Sequence, residues 1–248
     1  MSKKGEKDYL KNLGKNGIEH AFNKPFSDKI CGQIIMDIGS IMEFLPKPPA
    51  RLLDLGCGTG WTSCFFAKQG YTVTGQDISP DMITYANKNK ERDKLDNIIF
   101  IESDYEKMNY SNEFDCAVFY GSLHHAEDEQ AALQNTFNAL KPNGILIVFE
   151  PGKGHSKAKE TIETMEKFDV IDKDMPPTYL VNLAKTIGFK NYEIHPQLSQ
   201  MFKMVYTRPN KRGIYDLIFN LPFTRAIGSF FMLFFYKYRS GLVILKKG

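Results

Sequence analysis

Between residues 51 and 149 the chain alternates short apolar runs with stretches whose apolar positions recur at helical spacing. The runs at 51–55, 71–74, 98–101, 115–119 and 145–149 have the length and flanks of buried strands. Helices are expected between them, over 61–69, 80–92 and 128–140. Ser79 followed by Pro80 reads as a helix start, a cap and then a residue whose fixed φ suits the first turn. Lys141-Pro142-Asn143-Gly144 reads as a stop before the fifth strand. Such alternation predicts right-handed crossovers and a mostly parallel sheet with helices on both faces. Ligands of such sheets sit beyond the carboxyl ends of the strands, so the residues just after each run matter most.

The flanks extend this pattern. Ile30, Ile34, Ile35, Ile38, Ile41, Met42 and Leu45 fall at helical spacing and predict a helix over 27–45. Ser27 would cap it, and the PKPP run at 46–49 would end it. Downstream, 156–168 and 178–187 read as helices, Gly188-Phe189 with 192–195 as a strand, and 241–246 as the last strand. The Phe-, Tyr-, Met- and Lys/Arg-rich segment between those two strands is too long for a hairpin loop and predicts an inserted helical element.

Composition narrows the class. With 248 residues, 42% hydrophobic and 25% charged, the chain has room for one large α/β domain with a substantial core. The net charge of +3 is too small to argue for nucleic acid, but it is unevenly placed. Residues 199–248 hold nine Lys or Arg against Asp216 alone, whereas the preceding 198 residues hold 23 basic and 28 acidic side chains. Cys31, Cys57, Cys64 and Cys116 show neither paired metal spacing nor a dense disulfide framework, as expected of free thiols in a reducing cytoplasm. The basic N-terminus MSKKGEKDYLKNLGKNG has no apolar run behind it and does not read as a signal peptide. The longest apolar stretch, 226–236, is too short to span a bilayer, so a soluble protein is expected.

The candidate chemistry begins at RLLDLGCGTGWTS, residues 51–63. Gly56, Gly58 and Gly60 are spaced more tightly than a dinucleotide fingerprint, and Asp54 would repel a pyrophosphate. The glycines let a ligand approach the backbone, and the acid suits a nearby cationic group. Asp77 at the end of the second strand can accept both hydroxyls of a ribose. After the third strand, Asp104 could accept from an exocyclic amine and Tyr105 could flank a flat ring. An ammonium, an unphosphorylated ribose and an adenine occur together in S-adenosylmethionine.

The motifs LDLGCGTG, GQDIS, ESDYEKM, FDCAVFYGSLHHAED and LKPNGILIVFEP occur in an order and spacing that resembles a class I S-adenosylmethionine-dependent methyltransferase, in the style of the small-molecule, quinone-biosynthesis group. The resemblance covers residues 51–151 well and extends loosely to His195. It implies a Rossmann-like α/β fold with a seven-stranded, mostly parallel sheet. A single domain over 1–248 is then expected: an N-terminal helical lid (1–49), a cofactor-binding core (50–196), a C-terminal helical insertion (197–240) and the last strand (241–248). Gly56, Cys57, Gly58 and Gly60 would line the methionine part of the cofactor, and Asp54 would act on its amino group. Asp77 would bind the ribose, Ile78 and Met82 would pack on the adenine, and Asp104 would hold its amine. Residues from Tyr120 to Leu123 would close over the sulfonium.

Methyl transfer to oxygen needs a proton acceptor, and His124-His125 is the candidate, one of the two facing the methyl group. Glu150 could orient a histidine or bind a substrate hydroxyl. Trp61 is expected to pack in the helix after the turn, Tyr9 and His20 lie in the lid without an identified role, and no metal is expected. The acceptor is expected to be small or amphiphilic, methylated at oxygen. The basic aromatic segment 201–239 is either a helical cover or an element lying on an anionic membrane surface. Nucleic acid ranks third, because no RNA-binding motif accompanies Arg208, Lys211 and Arg212. The competing class is a non-catalytic, methyltransferase-like subunit that binds cofactor and a membrane or protein partner.

Overall fold

The computed structural model describes residues 2–206, 227, 230, 236 and 239–248. The apolar runs form β1 (Arg51–Leu55), β2 (Thr72–Asp77), β3 (Ile98–Glu102), β4 (Phe114–Tyr120) and β5 (Leu140–Phe149), followed by β6 (Phe189–His195) and β7 (Leu242–Lys247). They make one seven-stranded sheet in the order β3-β2-β1-β4-β5-β7-β6. The first five strands, β1 to β5, are parallel, and β7 runs antiparallel to both β5 and β6. This is the expected Rossmann-like arrangement, with the order reversing between β1 and β4.

Helices cover both faces: α1 (Lys3–Asn12), α2 (Gly14–Phe22), α3 (Cys31–Phe44), α4 (Trp61–Gln69), α5 (Pro80–Asp93), α6 (Glu129–Ala139), α7 (Lys159–Phe168), α8 (Pro177–Ile187) and α9 (Leu198–Tyr206). Neighbouring residues of a strand point to opposite faces, so Leu52 and Leu53 enter different cores. Leu53 packs with Phe119, Leu133, Val181 and Leu245, and Leu52 with Ile38, Ile41, Phe66 and Ile147. Among the described residues no helix is long and apolar enough to cross a membrane.

Several boundaries differ from the sequence expectations. The helix expected over 27–45 begins at Cys31, because Asp28, not Ser27, organises the turn: its carboxylate accepts from Ile30 N at 3.0 Å while Ser27 Oγ donates to His20 O. Lys141–Gly144 is a turn contained within β5 and does not precede it. Leu140 already pairs with Phe114, and pairing resumes at Cys116 with Ile145, so the turn bulges out of the strand with Asn143 at φ +63°. β2 begins one residue later than expected and carries Asp77 as its last residue. The helix expected over 156–168 divides at Ala158 into a 3-10 turn (His155–Lys157) and α7. Of the expected insertion 197–240, α9 and the helical residues Ile227, Phe230, Tyr236 and Arg239 are described; most of 201–239 lies outside the described residues.

Candidate active site

The glycine turn leaves β1 with Gly56, Gly58 and Gly60 at φ +69°, +54° and +77°, a left-handed region that side chains disfavour. Gly56 N and Cys57 N donate to Gln76 O, and Gly58 N donates to Asp77 Oδ2 at 2.8 Å. The turn is thereby fastened to the end of β2. A Cβ on Gly60 would meet the Phe100 ring at 2.5 Å and one on Gly56 would meet Ser122 at 2.5 Å. A Cβ on Gly58 would have only Met82 Sδ within 4 Å, at 3.9 Å. Two of the glycines are thus needed for packing, and the third faces open space.

That space is a cavity of about 360 Å³. Of the expected residues, Gly56, Cys57, Gly58, Asp77, Ile78 and Met82 line it, together with Tyr105, Tyr120 and His125. Asp77 Oδ1 also accepts from Ser79 N at 2.9 Å. Burial raises the Asp77 carboxyl above its ordinary range against the pull of these two N–H donors. The Cys57 thiol is also pushed up, first by burial and then by the charge of Asp77, which makes it a poor nucleophile.

Asp54, Gly60, Asp104 and Leu123 stand elsewhere. Asp54 is sealed behind the turn, where its Oδ2 accepts from Thr62 Oγ1 at 2.6 Å and Ser63 Oγ at 2.5 Å. It ties β1 to the first turn of α4, and burial raises its carboxyl to about 6. Asp104 borders an adjoining hollow of about 470 Å³ that shares Ile78 with the first cavity, and its Oδ2 lies 2.6 Å from Lys3 Nζ. Leu123 is wholly buried in the core.

The two histidines occupy a 3-10 turn (Leu123–His125) after β4 and are held differently. Glu150, buried at the end of β5, accepts from Ser122 N at 3.0 Å and Leu123 N at 2.8 Å through Oε1, and from His124 Nδ1 at 2.5 Å through Oε2. Burial alone would raise the Glu150 carboxyl, but His124 and the backbone donors hold it below its ordinary range. An ionised carboxylate only accepts, so the hydrogen of this contact sits on His124 Nδ1. Burial, then the neighbouring His125, lowers the His124 pKa and keeps the ring neutral. His124 Nε2 lies 3.3 Å from Asp172 Oδ1, which also takes His155 Nε2 at 2.7 Å.

His125 donates from Nδ1 to Ile171 O at 2.5 Å and lies 3.4 Å from Glu6 Oε1. Burial opposes its charge, but the hydrogen bond and charge of Glu6, with Asp172 behind, raise its pKa to about 9. It is a cation at neutral pH. Among the described residues His124, His125 and Asp172 bring one potential ligand atom each within 4.8 Å of the others, a group that could hold a metal ion.

α1 lies across the strand ends as a cover. Glu6 and Tyr9 line the first cavity, Lys3 reaches Asp104 and Glu106, and Ser79 Oγ donates to Lys7 O. Thr59 Oγ1 donates to Ala21 O at 2.7 Å, seating the end of α2 on the glycine turn. His20 lies near Asp28 and does not line the first cavity. Glu6 and Asp172 carried no sequence signal, since each gains its role from a partner more than forty residues away.

A second cavity of about 830 Å³ adjoins the first, and the two share Lys24, Trp61, Tyr120 and Gly121. Tyr120 stacks on Phe149 at 5.1 Å and takes the Trp61 ring edge-on at 5.6 Å, so Trp61 does more than pack its own helix. His124, Glu150 and His155 face this second space.

A family model described as a methyltransferase domain matches residues 46–174. The juvenile hormone acid O-methyltransferase of Drosophila melanogaster is 27% identical over 182 residues, covering 69% of this chain and 59% of that protein. The ubiquinone/menaquinone biosynthesis C-methyltransferase UbiE of Pectobacterium carotovorum is 30% identical over 127 residues, 49% of this chain and 50% of that protein. The chain thus spans about half the length of these curated relatives. In fold it is similar to phosphoethanolamine N-methyltransferase 2 of Haemonchus contortus, solved with S-adenosyl-L-methionine, at a TM-score of 0.66 and 17% identity over 98% of this chain and 59% of that one. With the family model covering more than half of the residues, this chain belongs to the methyltransferase-domain family.

Proposed function

We propose that this chain binds S-adenosylmethionine over the glycine turn and methylates, at oxygen, a small or lipid-like acceptor held in the neighbouring cavity. The observation that carries this is the wall the two cavities share at Tyr120 and Gly121, with Asp77 on one side and His124 on the other. The family match and the ligand named for the Haemonchus structure support the same cofactor. When bound, S-adenosylmethionine supplies an electrophilic methyl group on a sulfonium leaving group.

The residues present fit that group. A carboxylate offers about four acceptor sites, and Asp77 uses two on Gly58 N and Ser79 N, leaving acceptors for a ribose diol. Gly56, Cys57 and Gly58 offer bare backbone to the methionine part, and Ile78 and Met82 an apolar wall to the adenine. In this reading Asp104, in the hollow that shares Ile78, takes the adenine amine.

His124 takes the acceptor's proton at Nε2. Glu150 fixes the tautomer by holding the Nδ1 hydrogen, and Asp172 stands ready to stabilise the imidazolium. His125, already charged, cannot accept a proton and instead binds Glu6 of the covering helix. α1 covers the first cavity with Glu6 and Tyr9. Contact with an anionic membrane surface belongs to the same proposal, supported by the basic excess after residue 198 and by the exposed Phe26 and Phe230.

Titration calorimetry with S-adenosylmethionine and S-adenosylhomocysteine tests the cofactor assignment. The wild-type chain should bind both, and Asp77→Ala should weaken binding at least about ten-fold. A folded protein that binds neither ligand would overturn the proposal.

A further inference from the structure

The second cavity is apolar on one wall and cationic at its rim. Ile30, Ile34, Trp61 and Phe149 contribute the apolar surface. Lys24, Lys153 and Arg239 line it from three separate segments, and among the described residues none of the three has a carboxylate partner. The acids that reach it are occupied. Glu150 holds backbone N–H groups and His124, while Asp28 accepts from Ile30 N and faces His20. Of the neutral polar groups, Gln200 donates to Gln197 and Ser240 donates to Gln200.

The pairing of Lys153 with Arg239 is built into the backbone. Lys153 N donates to Arg239 O at 2.7 Å, and a Cβ on Gly152 would overlap that same carbonyl. The segment after β5 and the segment before β7 are therefore held together at the cavity, carrying one cation each. A guanidinium fork beside an ammonium is the donor set that recognises a carboxylate or phosphate.

We infer that the acceptor bound in this second cavity is an anionic amphiphile, an apolar body bearing one carboxylate or phosphate, with Lys153 and Arg239 binding the anion. This rests on the assignment of that cavity to the acceptor. The apolar wall takes the body, and the anion at the rim fixes which end of the molecule approaches His124.

Trp61 is the single tryptophan and lines both cavities, so its fluorescence reports on each. The protein is first titrated with S-adenosylhomocysteine and then, saturated, with decanoate, decyl phosphate and 1-decanol. At least one anion should bind about ten-fold or more tightly than decanol, and the tighter one identifies the head group. Lys153→Gln/Arg239→Gln should abolish that preference without altering decanol or S-adenosylhomocysteine binding. Arg239→Lys should retain most of it. Equal binding of acids and alcohol, or a preference that survives the double substitution, would overturn the inference. Binding of S-adenosylhomocysteine with no binding of any decyl probe would also overturn it while leaving the methyl-transfer proposal intact. Anion binding without S-adenosylhomocysteine binding would refute methyl transfer instead and leave an anion site.

Discussion

His124 Nδ1 and Glu150 Oε2 lie 2.5 Å apart although the residues are 26 positions apart in the chain, and both side chains are buried. The carboxylate comes from the end of β5 and the imidazole from the turn after β4, so the parallel pairing of β4 with β5 brings them together. The same carboxylate gathers the N–H groups of Ser122 and Leu123. One acid thereby sets the shape of the turn and the tautomer of the histidine.

That relationship makes the rate depend on pH in one direction. The folded His124 pKa lies below its ordinary value of about 6.5, so the neutral, proton-accepting form persists into mildly acidic solution. The rate of methyl transfer should stay flat from pH 8 to about 6.5 and fall only below it. His124→Gln should lower kcat on the order of 100-fold or more with S-adenosylhomocysteine affinity unchanged. A kcat that survives this substitution would remove His124 from the chemistry.

The Glu6–His125 contact predicts a stability profile. The folded His125 pKa, about 9, lies above the unfolded value of about 6.5. Its contribution is therefore fully present below pH 6.5 and lost as pH rises through about 9. Thermal melts of the wild-type chain should fall in Tm across that window. Glu6→Gln should flatten the fall, with Asp172 retaining part of it. Parallel profiles for the two proteins would show that the pair does not hold α1 in place.

The glycine turn separates packing from binding. Gly60→Ala adds a methyl group against Phe100 and Ala86 at a left-handed position, and should cost about 2–3 kcal/mol in stability. Gly58→Ala should cost only about 1 kcal/mol, yet weaken cofactor binding because its Cβ enters the cavity. Melting temperature and S-adenosylhomocysteine affinity should therefore rank the two variants in opposite orders. The same order in both measurements would contradict this division.

Asp54 lies buried behind the turn, where it accepts from two hydroxyls. Asp54→Ala strands the Thr62 and Ser63 hydroxyls in the interior and should cost about 1–3 kcal/mol. Asp54→Asn keeps an acceptor oxygen, and its S-adenosylhomocysteine affinity should stay within about two-fold of wild type. A stable Asp54→Asn protein that binds far more weakly would restore a direct role in ligand binding.

The sequence alone determined the parts of this protein governed by near neighbours. Apolar periodicity gave the strands and most helices, Ser79-Pro80 marked the start of α5, and the tight glycine spacing marked the turn that faces the cavity. Those signals are local, because φ preference, capping and side-chain alternation act within a few residues. Tertiary structure alone decided what depends on separate segments meeting. It divided the roles of His124 and His125, which are indistinguishable as neighbours in sequence, by setting one against Glu150 and the other against Glu6. It moved Asp54 behind the turn and gave Asp104 a lysine from α1. It turned Lys141–Gly144 into a bulge, because Leu140 found Phe114. In each case the deciding energy is a hydrogen bond, charge or contact made across the sheet, whose partners the linear order does not specify.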